Sequence, residues 1–125
     1  MLPALARIRS VSDTIEHRRH PRAPADFPVK LDADSSCRVT DISASGVRCH
    51  CLTHVPPMTV VGLRLEIPTH TNGRDSWTEI CCQGVVVRSR PLPEDAGSGF
   101  EVAIFFQGMT GREEMAIASY VESTL

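Results

Sequence analysis

The sequence is poor in lysine and in aromatic residues. Lys30 is the only lysine among 13 basic residues, and the 125-residue chain contains one Trp, one Tyr and four Phe. Its formal net charge of −2 excludes the globally basic surface that attracts nucleic acids or anionic membranes. The few aromatics also argue against a barrel for single-stranded nucleic acid, which needs stacking platforms. We therefore expect no DNA or RNA partner, and any anion site must be local and built from arginine.

Long apolar runs are also missing. No stretch approaches the roughly 18 apolar residues of a membrane span, and Arg7 and Arg9 interrupt the N-terminal run. The sequence thus predicts a cytoplasmic protein without membrane insertion.

Cysteine pairs with metal-ligand spacing are absent as well. The five cysteines include no C-x-x-C pair, so neither a closed disulfide framework nor a zinc ribbon is indicated. No Cys–His pair has a recognisable nucleophile context. We expect no metal, no cofactor and no enzymatic activity; these cysteines are Cys37, Cys49, Cys51, Cys81 and Cys82.

Six β-type segments separated by turn-forming residues follow one another along the chain. Alternation of Leu63, Leu65 and Ile67 with charged residues is typical of a strand with one dry face. The prolines at 21, 24 and 28 disfavour a helix and predict a loop that leads into the first strand at Phe27. Gly84 suggests a bulge or a bend, and Trp77 is interpreted as a core anchor, with a rim position for partner binding as the alternative and no role assigned. The predicted strands are 27–31, 37–41, 47–52, 60–67, 80–90 and 100–106, with hairpin loops at 69–75 and 91–99.

A helix is predicted after the last strand. Thr110 and Glu113 have the spacing of a capping box, and an apolar stripe follows from Met115 to Val121. Residues 1–15 carry apolar side chains every three or four positions and predict a short helix or an arm. The fold class is all-β with a flanking helix, in one domain over residues 16–125.

The first candidate site precedes the first strand. Arg18 and Arg22 form an R-x-x-x-R pattern that also contains Arg19, and Pro21 disfavours a helix there. In an extended segment Arg18 and Arg22 lie about 13 Å apart, so that they could contact different parts of one anionic ligand. Arginine pairs with phosphate and with the O6/N7 edge of guanine. A solvated basic linker is the alternative.

The second candidate site lies between two predicted strands. Asp41, Ser43 and Gly46 form a D-x-S-x-x-G pattern in which the two side chains can hold a turn and Gly46 can take positive φ. Taken alone, an ordinary hairpin explains this pattern equally well.

Together, the ordered pair of motifs resembles the PilZ family. The resemblance covers residues 16–125 and implies a six-stranded antiparallel barrel with a C-terminal helix that binds cyclic di-GMP. It implies that Arg18 and Arg22 clamp phosphate and guanine, with Arg19 as an extra phosphate contact. It further implies that Asp41 accepts from guanine donors, that Ser43 supports a base or phosphate contact, and that Gly46 permits close approach of backbone. Arg88 is a further candidate that would stack on the ligand, although a solvent-facing strand arginine explains it as well.

The function that this resemblance implies is a receptor or adaptor. Ligand would order the arginine segment, and a downstream protein partner would recognise the changed surface. The alternative is an adaptor of the same fold with weak or no nucleotide binding. Because His17 precedes the first arginine of the motif, one or two bound nucleotides both remain open, as do a monomer and a homodimer.

Overall fold

The described part of the chain folds into a closed antiparallel barrel with a C-terminal helix. The structure, a computed structural model, describes residues 21–32, 34–71 and 73–125. Within these residues the strands close in the order β1-β2-β3-β6-β5-β4, with antiparallel pairing throughout. The elements are β1 (Ala23–Leu31), β2 (Asp34–Ile42), β3 (Gly46–Cys51), β4 (Val60–Thr71), β5 (Arg74–Pro91), a 3₁₀ turn (Glu94–Ala96), β6 (Phe100–Gln107) and α1 (Gly111–Thr124).

The predicted six-stranded barrel with a C-terminal helix is therefore confirmed. The predicted N-terminal arm over residues 1–15 lies outside the described residues.

The core occupies the inside of the barrel and is built by alternation along the strands, which the bulges interrupt. On β6, Val102 and Ile104 are fully buried, whereas Ala103 and Phe105 face outward. Since successive strand residues point to opposite faces, each strand presents one apolar set to the interior. The inward residues therefore form the core that stabilises the fold, whereas the outward residues are accessible to ligands.

Helix α1 closes one end of the barrel. The side chain of Thr110 accepts from the Glu113 N–H, and the Glu113 carboxylate accepts from the Thr110 N–H, which confirms the predicted capping box. Ile117 and Val121 are buried against the strands, and the Tyr120 hydroxyl donates to the Pro24 carbonyl at 2.9 Å. The predicted stripe was wrong at Met115, which is 74% exposed, and at Ala118, which is also exposed.

The first strand and the longest hairpin differ from the prediction. Strand β1 begins at Ala23, four residues before the predicted start at Phe27, and therefore includes Pro24, which was expected in the loop. Because β1 pairs with β4 only over 29–31, its first half forms a sheet edge, where proline is tolerated. Strands β4 and β5 also continue through most of the predicted loop 69–75, with pairing out to Thr71 and Arg74.

The interpretation of Trp77 as a core anchor was wrong. Its side chain is 64% exposed on the extension of the β4–β5 hairpin, opposite Pro68. Thr78 pairs in register with the buried Ile67, so Thr78 faces the interior. Since successive strand residues point to opposite faces, the preceding residue, Trp77, faces outward.

The strand pairing shifts register at four places, two of them between β1 and β2, and the other two are bulges beside the candidate site. Pairing of β2 with β3 passes from Val39 to Asp41, so Thr40 is an extra residue, and pairing of β5 with β6 passes from Val86 to Arg88, so Val87 is extra. Of the bulge or bend expected at Gly84, the bulge is wrong in position, because it lies at Val87.

Gly84 has a different role in the barrel. A Cβ there would lie 2.5 Å from Ile104 Cγ2 and 2.7 Å from Leu63 Cδ1. The glycine lets two neighbouring core side chains pack over the backbone of β5.

Candidate anion-binding site

The two sequence motifs meet at the start of β1. The Arg22 guanidinium contacts Asp41 Oδ1 through Nε and through a terminal nitrogen, both at 2.6 Å, and donates to the Ser43 hydroxyl at 3.3 Å. The ion pair is about three-quarters buried, with side-chain exposures of 23% for Arg22 and 22% for Asp41. The structure thus joins residues 19 and 21 positions apart in the sequence into one polar cluster.

The turn between β2 and β3 is held by its own hydrogen bonds. The Ser43 N–H donates to the Gly46 carbonyl at 2.9 Å, and the Ser43 hydroxyl accepts from the Ser45 N–H at 3.2 Å. Ser43 is fully buried, a rare environment for serine, and its hydroxyl is already occupied by Arg22 and by the turn. Its geometry fits a residue that positions the turn and Arg22.

Gly46 is required by strand packing. Its φ is not positive, so the conformational reason expected from the sequence was wrong. A Cβ at this position would overlap the Ile104 carbonyl oxygen and lie 3.2 Å from Phe105 Cα. The close approach that Gly46 permits in this structure is that of β6.

A groove on the outer surface begins beside this cluster. It encloses about 650 Å³, and it is lined by Arg22, the turn, β3, the bulged part of β5, β6 and the start of α1. Its apolar surface includes Val87 and Phe105, whose side chains are 41% and 49% exposed. Arginine side chains beside an apolar floor fit a flat ligand that carries negative charge.

One cross-strand row crosses the outer face of the barrel beside this groove. Asp41 pairs with Arg48, Arg48 with Ala103, and Ala103 with Arg88, on four adjacent strands. Arg48 also contacts Asp41 Oδ2 at 3.5 Å. Both ends of the row directly follow a bulge, at Thr40 and at Val87, so bulges place Asp41 and Arg88 in register with Arg48.

Sequence reasoning missed Arg48. The available signal was the alternation of β3, where Val47, Cys49 and Cys51 are buried and Arg48 must point outward beside the D-x-S-x-x-G turn. Arg88, by contrast, was a candidate and lines the same groove as Arg22. Arg18 and Arg19 lie outside the described residues, and their roles stay predictions.

Over residues 21–32, 34–71 and 73–125, no group of His, Cys, Asp and Glu side chains is arranged to hold a metal ion. None of the helices within the same ranges has the length and apolar character needed to cross a membrane.

The fold and the site define a small antiparallel barrel with an arginine-rich groove beside an acidic turn. A family model described as PilZ domain matches residues 16–123, and the chain belongs to the PilZ domain family.

Among solved structures, the chain is similar to the Bacillus subtilis inhibitor of motility MotI/DgrA, with a TM-score of 0.71 and 16% sequence identity. That match covers 97% of this chain and 55% of the other, so this chain spans about half the length of its structural neighbour. At this identity the likeness shows the fold alone. No curated protein matches the chain in sequence.

Proposed function

We propose that this domain is a receptor for cyclic di-GMP that changes conformation on binding and signals to a protein partner. The observation that carries the proposal is the contact of Arg22 with both Asp41 and Ser43 at the edge of the groove. These residues come from the two motifs on which the family resemblance rests, and they form one cluster in the fold.

The chemistry of the cluster matches the ligand. A guanine base offers ring and amino N–H donors to a carboxylate such as Asp41, and its O6/N7 edge accepts from an arginine fork. Each of the two phosphates adds a negative charge that pairs with guanidinium. Apolar surface at Val87 and Phe105 would support a base laid flat in the groove.

Ligand binding would require an exchange of partners. Without ligand, Asp41 accepts from Arg22 and contacts Arg48, so its oxygens are already engaged. A guanine edge that replaces Arg22 on Asp41 frees that guanidinium for the ligand, and Arg22 changes position at the start of β1. This exchange is the proposed switch, because it couples ligand occupancy to the position of Arg22 at the entrance to the barrel strands.

Two residues of the motif act indirectly in this proposal. Ser43 is buried and Gly46 is packed against β6, so they hold the turn that presents Asp41. Arg18 and Arg19 supply further phosphate contacts, as the family resemblance implies.

The second candidate function is an adaptor that uses the same fold for protein contacts alone. The structural neighbour is described as an inhibitor of motility, and by analogy a protein partner belongs to either function. Nucleotide binding separates the two candidates.

Isothermal titration calorimetry with cyclic di-GMP tests the proposal on three proteins. The wild type should bind, and Arg22→Ala should bind at least about tenfold more weakly, because a charged hydrogen-bond donor is lost. Arg64→Ala is the matched control, since Arg64 is 63% exposed on β4 and lies outside the groove. Equal affinity of wild type and Arg22→Ala would refute the role of Arg22, and absence of binding by the wild type would favour the adaptor.

A further inference from the structure

Two arginines face each other across a small residue in the cross-strand row. Arg48 on β3 and Arg88 on β5 both pair in register with Ala103 on β6. Neighbouring strands are about 4.8 Å apart, so the two Cα atoms lie roughly 10 Å apart with only a methyl group between them. Side chains as long as arginine can converge on one group above Ala103.

The two positive charges on either side of Ala103 have few negatively charged neighbours. Among the described residues, none forms an ion pair or a hydrogen bond with the Arg88 side chain. Arg48 contacts Asp41 Oδ2 at 3.5 Å, whereas Arg22 holds Oδ1 of the same carboxylate at 2.6 Å. The contact of Arg48 with Asp41 is therefore longer than that of Arg22, and Asp41 would still be paired with Arg22 if Arg48 moved to a ligand.

The adjacent row shows how the barrel neutralises an arginine when no ligand is involved. Arg90, two residues along β5, pairs in register with Glu101 on β6, and their side chains form an ion pair at 3.3 Å. At the equivalent position opposite Arg88, β6 carries Ala103 and no carboxylate. Glu114 on α1 also lines the groove. Arg88 has no carboxylate opposite it on β6, and the carboxylate beside Arg48 is shared with Arg22, so an anion from outside would stabilise both cations.

We propose that Arg48 and Arg88 form an anion-binding pair across Ala103, and that this pair holds a phosphodiester group of the ligand. The inference rests on the proposed function, since cyclic di-GMP supplies that group. Arg22 and Asp41 then serve the guanine side of the site, and the arginine pair serves a phosphate farther along the groove. The bulge at Val87 has a role in this arrangement, because it brings Arg88 into register with Ala103 and turns Val87 into the groove.

Single substitutions test the pair directly with cyclic di-GMP. Arg48→Gln and Arg88→Gln should each weaken binding about 10- to 100-fold, because each removes charged hydrogen bonds to phosphate. Arg90→Gln is the control, since it removes one charge from the same strand at a position that already has a carboxylate partner.

Substitution at Ala103 tests the space between the arginines without removing either of them. Ala103→Glu places a carboxylate where the phosphate would lie, and it should weaken binding at least tenfold. Ala103→Ser keeps the residue small and should bind like the wild type. Ala103 faces outward, and thermal melts of both variants check that the barrel is intact.

An NMR titration of the wild type with inorganic pyrophosphate keeps the test independent of the nucleotide. The side-chain Nε–H signals of Arg48 and Arg88 should shift, and that of Arg90 should not. If the wild type does not bind cyclic di-GMP but pyrophosphate shifts both signals, the proposed function fails and the arginine pair stands. If the wild type binds the nucleotide while Arg48→Gln and Arg88→Gln match Arg90→Gln, and pyrophosphate leaves both signals unchanged, the pair is overturned and the proposed function stands.

Discussion

The backbone N–H of Cys81 on β5 donates a hydrogen bond of 2.9 Å to the Glu113 carboxylate on α1. The same carboxylate accepts from the Thr110 N–H at 3.0 Å, so one side chain caps the helix and joins it to the barrel. Helix position matters for this fold, because Ile117 and Val121 on α1 complete the core. The Glu113 carboxylate therefore helps to hold α1 in place against one end of the barrel.

Replacement of Glu113 should destabilise the fold. Glu113→Ala removes the side-chain half of the capping box and leaves the Cys81 N–H without its acceptor, so we expect a loss of about 1–2 kcal/mol in the free energy of unfolding. Glu114→Ala is the control, because Glu114 is also in the first helical turn but makes no capping contact. Urea unfolding of both variants measures the difference, and equal stability would show that the Cys81 contact contributes nothing.

The same carboxylate should make stability depend on pH. The hydrogen bond from Cys81, followed by that from Thr110, lowers the pKa of Glu113 in the folded state. A lowered folded pKa means that the stabilisation is fully present above the ordinary pKa of glutamate, about 4.3, and is lost as pH falls through the lower folded value. The stability difference between wild type and Glu113→Gln should thus be constant from about pH 8 to pH 6 and shrink below about pH 4. A difference that grows on acidification would contradict this assignment.

The two bulges explain which part of the fold could be predicted from the sequence. Alternating segments gave the six strands and their order along the chain, because the period of two is imposed by the pleat. A bulge breaks that period without a characteristic residue, and here the extra residues are Thr40 and Val87, whereas the glycine that suggested a bulge is buried by packing. Register across neighbouring strands is a long-range property that local composition does not encode.

The candidate site was predictable to the same extent. The motifs named Arg22, Asp41 and Ser43, and the fold brings these three into contact. Arg48 was missed because its relation to Asp41 depends on the bulge, and its relation to Arg88 depends on a strand, β6, that is distant in sequence. A sequence motif can identify residues that lie close together in a local turn. The row of residues across four strands could not be predicted in this way, because it depends on how distant strands pair.

Gly84 should not tolerate a side chain. Gly84→Ala would place a Cβ 2.5 Å from Ile104 Cγ2 and 2.7 Å from Leu63 Cδ1, and we expect a loss of about 1–3 kcal/mol because a packed core must shift. Gly111→Ala is the matched control: no atom lies within 4 Å of its added Cβ, and alanine favours the helix that begins there. Thermal unfolding should show a lower Tm for the first variant and an equal or higher Tm for the second. A Gly84→Ala variant as stable as the wild type would mean that this part of the core is loosely packed.

The cysteines should differ in reactivity toward a thiol reagent. Cys81 is exposed on the outer face of β5, whereas Cys37, Cys49 and Cys51 are buried in the barrel. Burial, followed by the charges of Glu113 and Cys81, raises the pKa of Cys82 to about 11, so at pH 8 its reactive thiolate is only about one part in a thousand.

Native protein treated with Ellman's reagent at pH 8 should therefore release about one equivalent of chromophore rapidly, since Cys81 is the one exposed cysteine. Cys81→Ser should abolish the fast phase, and Cys82→Ser should leave it intact. Unfolding in guanidinium should make all the remaining thiols react, which controls for prior oxidation. A fast phase that survives in the Cys81→Ser/Cys82→Ser double variant would show that the barrel opens readily, because the three remaining thiols are packed inside closed strands and react only through such an opening.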